Sequence, residues 1–279
     1  MKKVLILGTM FGSTGGISSR VINDIFKTLY AKKHNIFPLL IIGVDDLEKV
    51  LNRVSFDAVF LATYGGFGNN GFLQKIFEQK GINFNNSGSF THEICYNKIN
   101  TSEFITGLKL KAPEIYTKPV YPCIIKPIEG EGSEGIHICK TSKEYNKYMN
   151  DDCFAEEFIR GDEYTVSVYN SIVGNPIKIT KESDIWGGGN PGDETLEYDE
   201  KFEIRNLILK DVQNIYKWLK ATDGIRIDFI IRGSNIYYID INSLPVLNRG
   251  GYFHRSLQDY DATYDFDFLI TEMYNKLIK

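Results

Sequence analysis

The chain has 279 residues, 43% of them hydrophobic and 24% charged, with a net charge of −4. That balance belongs to a soluble globular protein of one to three domains and excludes a disordered chain, a collagen-like repeat, a coiled-coil rod and a small disulfide scaffold. An acidic balance also argues against a phosphate backbone as the main partner, so no nucleic acid is expected.

The opening pattern is strand, glycine-rich loop, helix. Residues 4–7 form an apolar run, Gly8, Gly12, Gly15 and Gly16 follow, and Ser18 or Ser19 is placed to cap a helix. The apolar face of that helix is Val21, Ile22, Ile25, Phe26 and Leu29. Strands are expected at 39–44 and 57–63, each leading towards a helix, which implies a parallel sheet covered on both faces. From about Tyr96 short β-rich runs take over, at 123–126, 135–139, 154–159 and 163–169. A helix carrying Ile204, Ile208, Val212, Ile215 and Leu219 comes next, then strands at 224–231 and 236–241 and a final helix from about 266. The loop 187–192, with Trp186 beside it, reads as a lid or as an ordinary surface turn.

Cys95, Cys123, Cys139 and Cys153 form no CxxC pair, and the four histidines form no HExxH pattern. Reduced thiols in the cytoplasm are expected rather than zinc ligation or thiol catalysis. The first apolar stretch is too short for a signal peptide, and the run 36–44 is far too short to cross a bilayer, so no membrane is expected.

The sharpest signal lies in residues 224–242, G-I-R-I-D-F-I-I-R-G-S-N-I-Y-Y-I-D-I-N. A three-residue hairpin loop at Gly233, Ser234 and Asn235 sets Asp228 opposite Asp240 and Arg226 opposite Asn242, all on one face. Ile225, Ile227, Phe229, Ile239 and Ile241 then face the core. Two carboxylates directly opposite repel each other, and a divalent cation such as Mg²⁺ relieves that, being partial to carboxylate and amide oxygens. The alternative is an exposed polar face with its charges solvated, or Arg226 simply neutralising the acids. Lys126 precedes a glycine-rich loop with Gly130, Gly132 and Gly135, an arrangement that lets backbone N–H groups approach phosphate. Lys98 is a second lysine expected in a strand or loop. Residues 155–165 carry Glu156, Glu157 and Glu163 around a turn at Gly161.

Taken in order, Lys98, Lys126-Pro127 with its glycine loop, the 156–163 run, Arg226-Ile227-Asp228 and the run from Asp240 to Pro245 resemble an ATP-grasp enzyme. Within that superfamily the chain is most similar to the D-alanine–D-alanine ligases. The resemblance implies an α/β fold, α+β in its C-terminal part: an N-terminal parallel-sheet domain (1–95), a central ATP-grasp subdomain (96–170) and a C-terminal one (171–279). It implies ATP and Mg²⁺, with Mn²⁺ as an alternative, and small-molecule carboxylate and amine substrates; a homodimer is one open assembly. Lys98 and Lys126 would contact phosphates under the Gly132-Ser133 loop. Glu156 would accept from the adenine amino group, the Phe158 backbone would meet the adenine edge, and Glu163 would bind the ribose. Asp228, Asp240 and Asn242 would hold the metal, and Arg226 would act catalytically on the transferred phosphoryl group. Several positions depart from the family pattern. Ser13-Thr14-Gly15-Gly16 lacks the usual glutamate, Tyr64 replaces a histidine, Asn69 an acid and Val246 a glycine, and 187–192 carries no Lys-Tyr pair. Three readings follow: a carboxylate–amine ligase with a pocket diverged from D-alanine, a true D-alanine–D-alanine ligase, and a non-catalytic ATP-binding protein.

Overall fold

The computed structural model describes residues 2–10, 15–179, 196–198 and 202–279. Ser13, Thr14, Trp186 and the 187–192 loop lie outside them.

The first layer follows from the apolar runs. Strands β1 (Val4–Thr9), β2 (Ile36–Ile41), β3 (Ala58–Leu61) and β4 (Asn83–Phe84) form a parallel sheet in the order β2-β1-β3-β4. Helices α1 (Gly15–Ala31), α2 (Val44–Arg53) and α3 (Phe72–Lys80) connect them. Strand β2 begins three residues earlier than its hydrophobic pattern predicts, and residues 42–44 leave the sheet to start α2. Pro38 is accommodated because β2 is an edge strand. Ser18 is not an N-cap: α1 already runs from Gly15, and the Ser18 hydroxyl oxygen accepts from the Tyr64 N–H (3.1 Å).

Helices α4 (Ser89–Tyr96) and α5 (Lys98–Gly107) lead out of this layer. Lys98 therefore sits at the start of a helix rather than in a strand or loop, because the Asn97 side chain accepts from the N–H groups of Ile99 and Asn100 and caps it. The central sheet has the order β6-β5-β7, from β5 (Cys123–Pro127), β6 (His137–Cys139) and β7 (Cys153–Glu157). A helix absent from the sequence reading, α6 (Ser142–Tyr148), starts on a Thr141–Glu144 capping box.

The third sheet holds β8 (Asp162–Tyr169), β9 (Ile172–Val173), β10 (Ile177–Ile179), β11 (Leu196–Tyr198), β12 (Gly224–Arg232) and β13 (Asn235–Asn242). Strand β8 falls within the segment 96–170, yet it pairs with β12 along residues 162–169. By sheet membership β8 goes with β12 and not with β5–β7. Helix α7 (Phe202–Trp218) packs Ile208, Val212 and Ile215 against Val166, Val168, Ile225 and Ile227.

Helix α9 (Phe266–Leu277) begins where the sequence pattern placed the final helix, and α8 (Tyr252–Tyr260) before it was not expected. Leu269, Ile270, Met273 and Tyr274 of α9 pack with Ile25 and Leu29 of α1 on Val4, Ile6 and Phe60. Leu47, Leu73 and Phe77 cover the opposite face through Leu5, Leu7, Val59 and Leu61. Both faces of the first sheet are buried, as a parallel sheet requires. Among the described residues no helix is long and apolar enough to cross a membrane.

Two buried histidines give this core a measurable pH response. Burial holds His92 and His254 at about 4, below the ordinary 6.5. A histidine kept neutral in the fold contributes stability that is full above its unfolded value and declines as pH falls from 6.5 towards 4. Glu131, raised to about 7 by burial, works in the opposite sense over the same window. The difference between two proteins therefore carries the test. The stability advantage of wild type over His92→Gln should shrink by about 2 kcal/mol between pH 7.5 and pH 5. Denaturant melts at the two pH values check it, and an unchanged gap would mean that His92 charges without penalty.

Candidate active site

The chemistry-bearing residues converge where the three sheets meet. The β12–β13 hairpin turns through Gly233 and Ser234 alone, Gly233 at φ 63°, so that Arg232 pairs with Asn235. This two-residue turn differs from the three-residue loop expected, and by itself would set Asp228 opposite Ile239. A bulge at Ile239 shifts the register by one residue, and Asp228 faces Asp240 with Arg226 opposite Asn242. Ile239 accordingly leaves the core face and lines a cavity, a correction to its expected place.

Each acid of the pair already has partners. Asp228 receives a bidentate contact from Arg226 (Nε to Oδ1 3.1 Å, Nη2 to Oδ2 2.9 Å). The Thr165 hydroxyl donates to its Oδ1 at 2.6 Å, from the strand on the other side of β12. Lys98 Nζ stands 3.7 Å from Asp240 Oδ1 and donates to the Gly130 carbonyl at 3.0 Å. Asn242 directs its amide nitrogen to Asp228 (3.2 Å) and Asp240 (3.5 Å). Presenting its carbonyl oxygen to a cation takes only a half-turn of the amide.

The cavity bounded by this face measures about 520 Å³. Lys98, Lys126, Gly132, Ser133, Glu163, Arg226, Asp228, Asp240 and Asn242 all stand on its wall. Glu156 and Phe158 do not appear there. Glu156 is 5% exposed and forms an ion pair with Lys126, which is 7% exposed. Burial pushes the Glu156 carboxyl up, and the Lys126 ammonium opposes that rise. Phe158 is half-buried and stacks under the Arg160 guanidinium, 5.8 Å from the ring centre.

Among the described residues no three of His, Cys, Asp and Glu gather as a metal cluster. The donor set for a cation is two carboxylates and one amide oxygen. Such a set fits Mg²⁺, which keeps several waters and takes further ligands from phosphate, better than a metal that needs a full protein cage.

Sequence reasoning missed several wall residues. Glu131 and Tyr96 line the cavity, and the glycine loop around Glu131 was the only signal for the first. Thr165 was invisible because it depends on the pairing of β8 with β12. His92 is hidden beneath the wall: its Nε2–H donates to the Ser87 carbonyl (3.1 Å), so its bare Nδ1 accepts from the Ser243 hydroxyl (2.7 Å). That link ties α4 to the residue after Asn242.

Comparison with known proteins identifies the family. Residues 95–245 match the ATP-grasp domain family. A D-alanine–D-alanine ligase of Thermotoga petrophila is 31% identical over 237 residues, covering 73% of this chain and 74% of the relative. This chain belongs to the ATP-grasp superfamily, among the D-alanine–D-alanine ligase-like proteins. Membership in this ATP-grasp group makes it an ATP-dependent carboxylate–amine ligase. A second relative, the D-alanine–D-alanine ligase of Clostridium beijerinckii, is 26% identical over 87% of this chain and 90% of its own length. The fold is shared with the crystal structure of the Bacillus anthracis D-alanine–D-alanine ligase complexed with ATP, at TM-score 0.84 and 19% identity, covering 99% of this chain and 97% of that one. It is also shared with the VanG D-Ala:D-Ser ligase of Enterococcus faecalis, at TM-score 0.83 and 18% identity, covering 99% of each chain.

Proposed function

We propose that this ATP-grasp protein activates a small carboxylate with ATP and joins it to an amine in a pocket diverged from D-alanine. The observation that carries the reading is the convergence of Lys98, Lys126, Arg226 and the Asp228–Asp240 face on one cavity. Divergence is supported by placement: Tyr64, Asn69 and Val246, the positions that depart from the family pattern, all stand on that cavity's wall.

In this reading Lys98 and Lys126 hold phosphate oxygens beneath Gly132 and Ser133, and Glu163 holds the ribose. Glu156 meets the adenine amino group while sharing its carboxylate with Lys126, and the Phe158 backbone meets the adenine edge. Asp228, Asp240 and Asn242 are the residues that would hold Mg²⁺, or Mn²⁺ in its place. The metal, when bound, neutralises phosphate charge. Arg226, aimed by its two bonds to Asp228, stabilises the charge on the phosphoryl group in flight. A substrate carboxylate oxygen attacks the γ-phosphorus and ADP leaves. The amine nitrogen, once its ammonium proton has passed to water, attacks the acyl carbon of the resulting acyl phosphate; the C–O bond to phosphate breaks, a second nitrogen proton leaves with the phosphate, and the amide bond is formed. The protein's part is positioning and charge stabilisation.

The test is a screen of ADP release against amino acids of both hands and simple carboxylic acids. Turnover is expected with an acid or amine pair other than two D-alanines. Efficient D-alanyl-D-alanine synthesis at ordinary substrate levels would overturn the divergence, and it is the second reading because the relatives carry that name. No ADP release with any pair would favour a binding protein.

A further inference from the structure

An amine substrate arrives as an ammonium ion, and its charge needs a carboxylate that is not already committed. Asp228 is clamped by Arg226, Asp240 faces Lys98, and Glu156 is closed by Lys126. Glu131 differs from them. One side of its carboxylate accepts from the Gly66 backbone N–H, and Oε1 is buried with no hydrogen-bond partner. An orphan carboxylate oxygen away from water is costly until a donor reaches it.

The loop that carries Glu131 is built to turn it inward. Gly130, Gly132, Ser133 and Gly135 all have positive φ (150°, 66°, 62° and 73°), a run that ordinary side chains rarely adopt. The loop lies against the 66–68 turn of the N-terminal layer, and the Tyr64 hydroxyl sits 3.7 Å from where a Cβ on Gly132 would stand. Burial raises the Glu131 carboxyl to about 7 even though the Lys98 ammonium and the Gly66 N–H oppose the rise, and neither of them reaches Oε1.

We propose that Glu131 is the counter-charge for the ammonium group of an amino-acid substrate. The proposal rests on the ligase reading above and adds the residue that selects the amine. Oε1 is sealed while the loop lies on the 66–68 turn, so the ammonium group enters with the loop raised and is enclosed as it closes.

The test uses the full chain, with ADP and Mg²⁺ present and absent, and compares melting temperatures with amino acids and their deamino counterparts. The probes are D-alanine and L-alanine against propionate, and glycine against acetate. Wild type should be stabilised more by at least one amino acid than by its counterpart. In Glu131→Gln that preference should vanish, with the half-saturating amino-acid concentration raised about 10-fold or more, the worth of one charge-assisted hydrogen bond. The glutamine oxygen can still accept from Gly66, so the loop contact and the shift given by ADP and Mg²⁺ should survive, and Glu131→Asp should keep part of the preference. A preference intact in Glu131→Gln, or absent from wild type with every probe, overturns the proposal. If ADP with Mg²⁺ fails to shift wild type, the ligase reading falls instead, and the nucleotide-free comparison still decides Glu131.

Discussion

Lys126→Ala should lose nucleotide affinity and about 3–5 kcal/mol of folding stability together, because it strands a buried carboxylate. The partner is Glu156, only 5% exposed; among the described residues the Lys98 ammonium also favours its charge, but from beyond ion-pair distance. A lone Glu156 escapes part of the penalty by taking a proton, since burial already pushes its carboxyl up. The stability gap to wild type should therefore be smaller at pH 5 than at pH 8. Adding Glu156→Gln removes the stranded charge and should return most of the stability while nucleotide affinity stays weak. Denaturant melts and ADP titrations on the single and double variants separate the two roles. Wild-type stability in Lys126→Ala would contradict a desolvated pair, and restored affinity in the double variant would take Lys126 out of the phosphate site.

Asp240→Asn should reduce ADP formation by 100-fold or more, since even a residue that merely supports a metal ligand is worth about 10–100-fold. Its effect on the fold should be small. Asp240 is part-exposed and its contact with Lys98 is long at 3.7 Å, which makes the pair worth about 0–1 kcal/mol. Relief of its repulsion with Asp228 across the hairpin is of similar size and opposite sign. Melting and turnover on the one variant give the answer. Full activity in Asp240→Asn would remove the metal from this face.

The hairpin shows how far the amino-acid pattern could be read. Alternation of apolar and polar residues placed Asp228 against Asp240 and Arg226 against Asn242, and both pairs stand. The turn length and the Ile239 bulge were not legible, because a bulge leaves no mark in a two-residue period; the two one-residue offsets cancel at Asp228. Local signals also failed at Ser18, because α1 already runs from Gly15, and at Lys98, where the neighbouring Asn97 caps a helix. Partners between distant segments were the least legible. Nothing in the run around Lys126 said that Glu156 would close it, or that Glu131 would turn towards Gly66. Such contacts depend on which layer meets which, and hydrophobic period describes each layer alone.

The packing of α9 on the first sheet bears on how the protein is made. Val4, Ile6 and Phe60 emerge from the ribosome early, whereas Leu269, Ile270, Met273 and Tyr274 emerge among the last of the residues described. Until then one face of the nascent sheet stays only partly covered, by α1, and the long loop to be closed slows its completion. A chain halted before α9 would display that greasy face and be a substrate for chaperones and self-association rather than a smaller working protein.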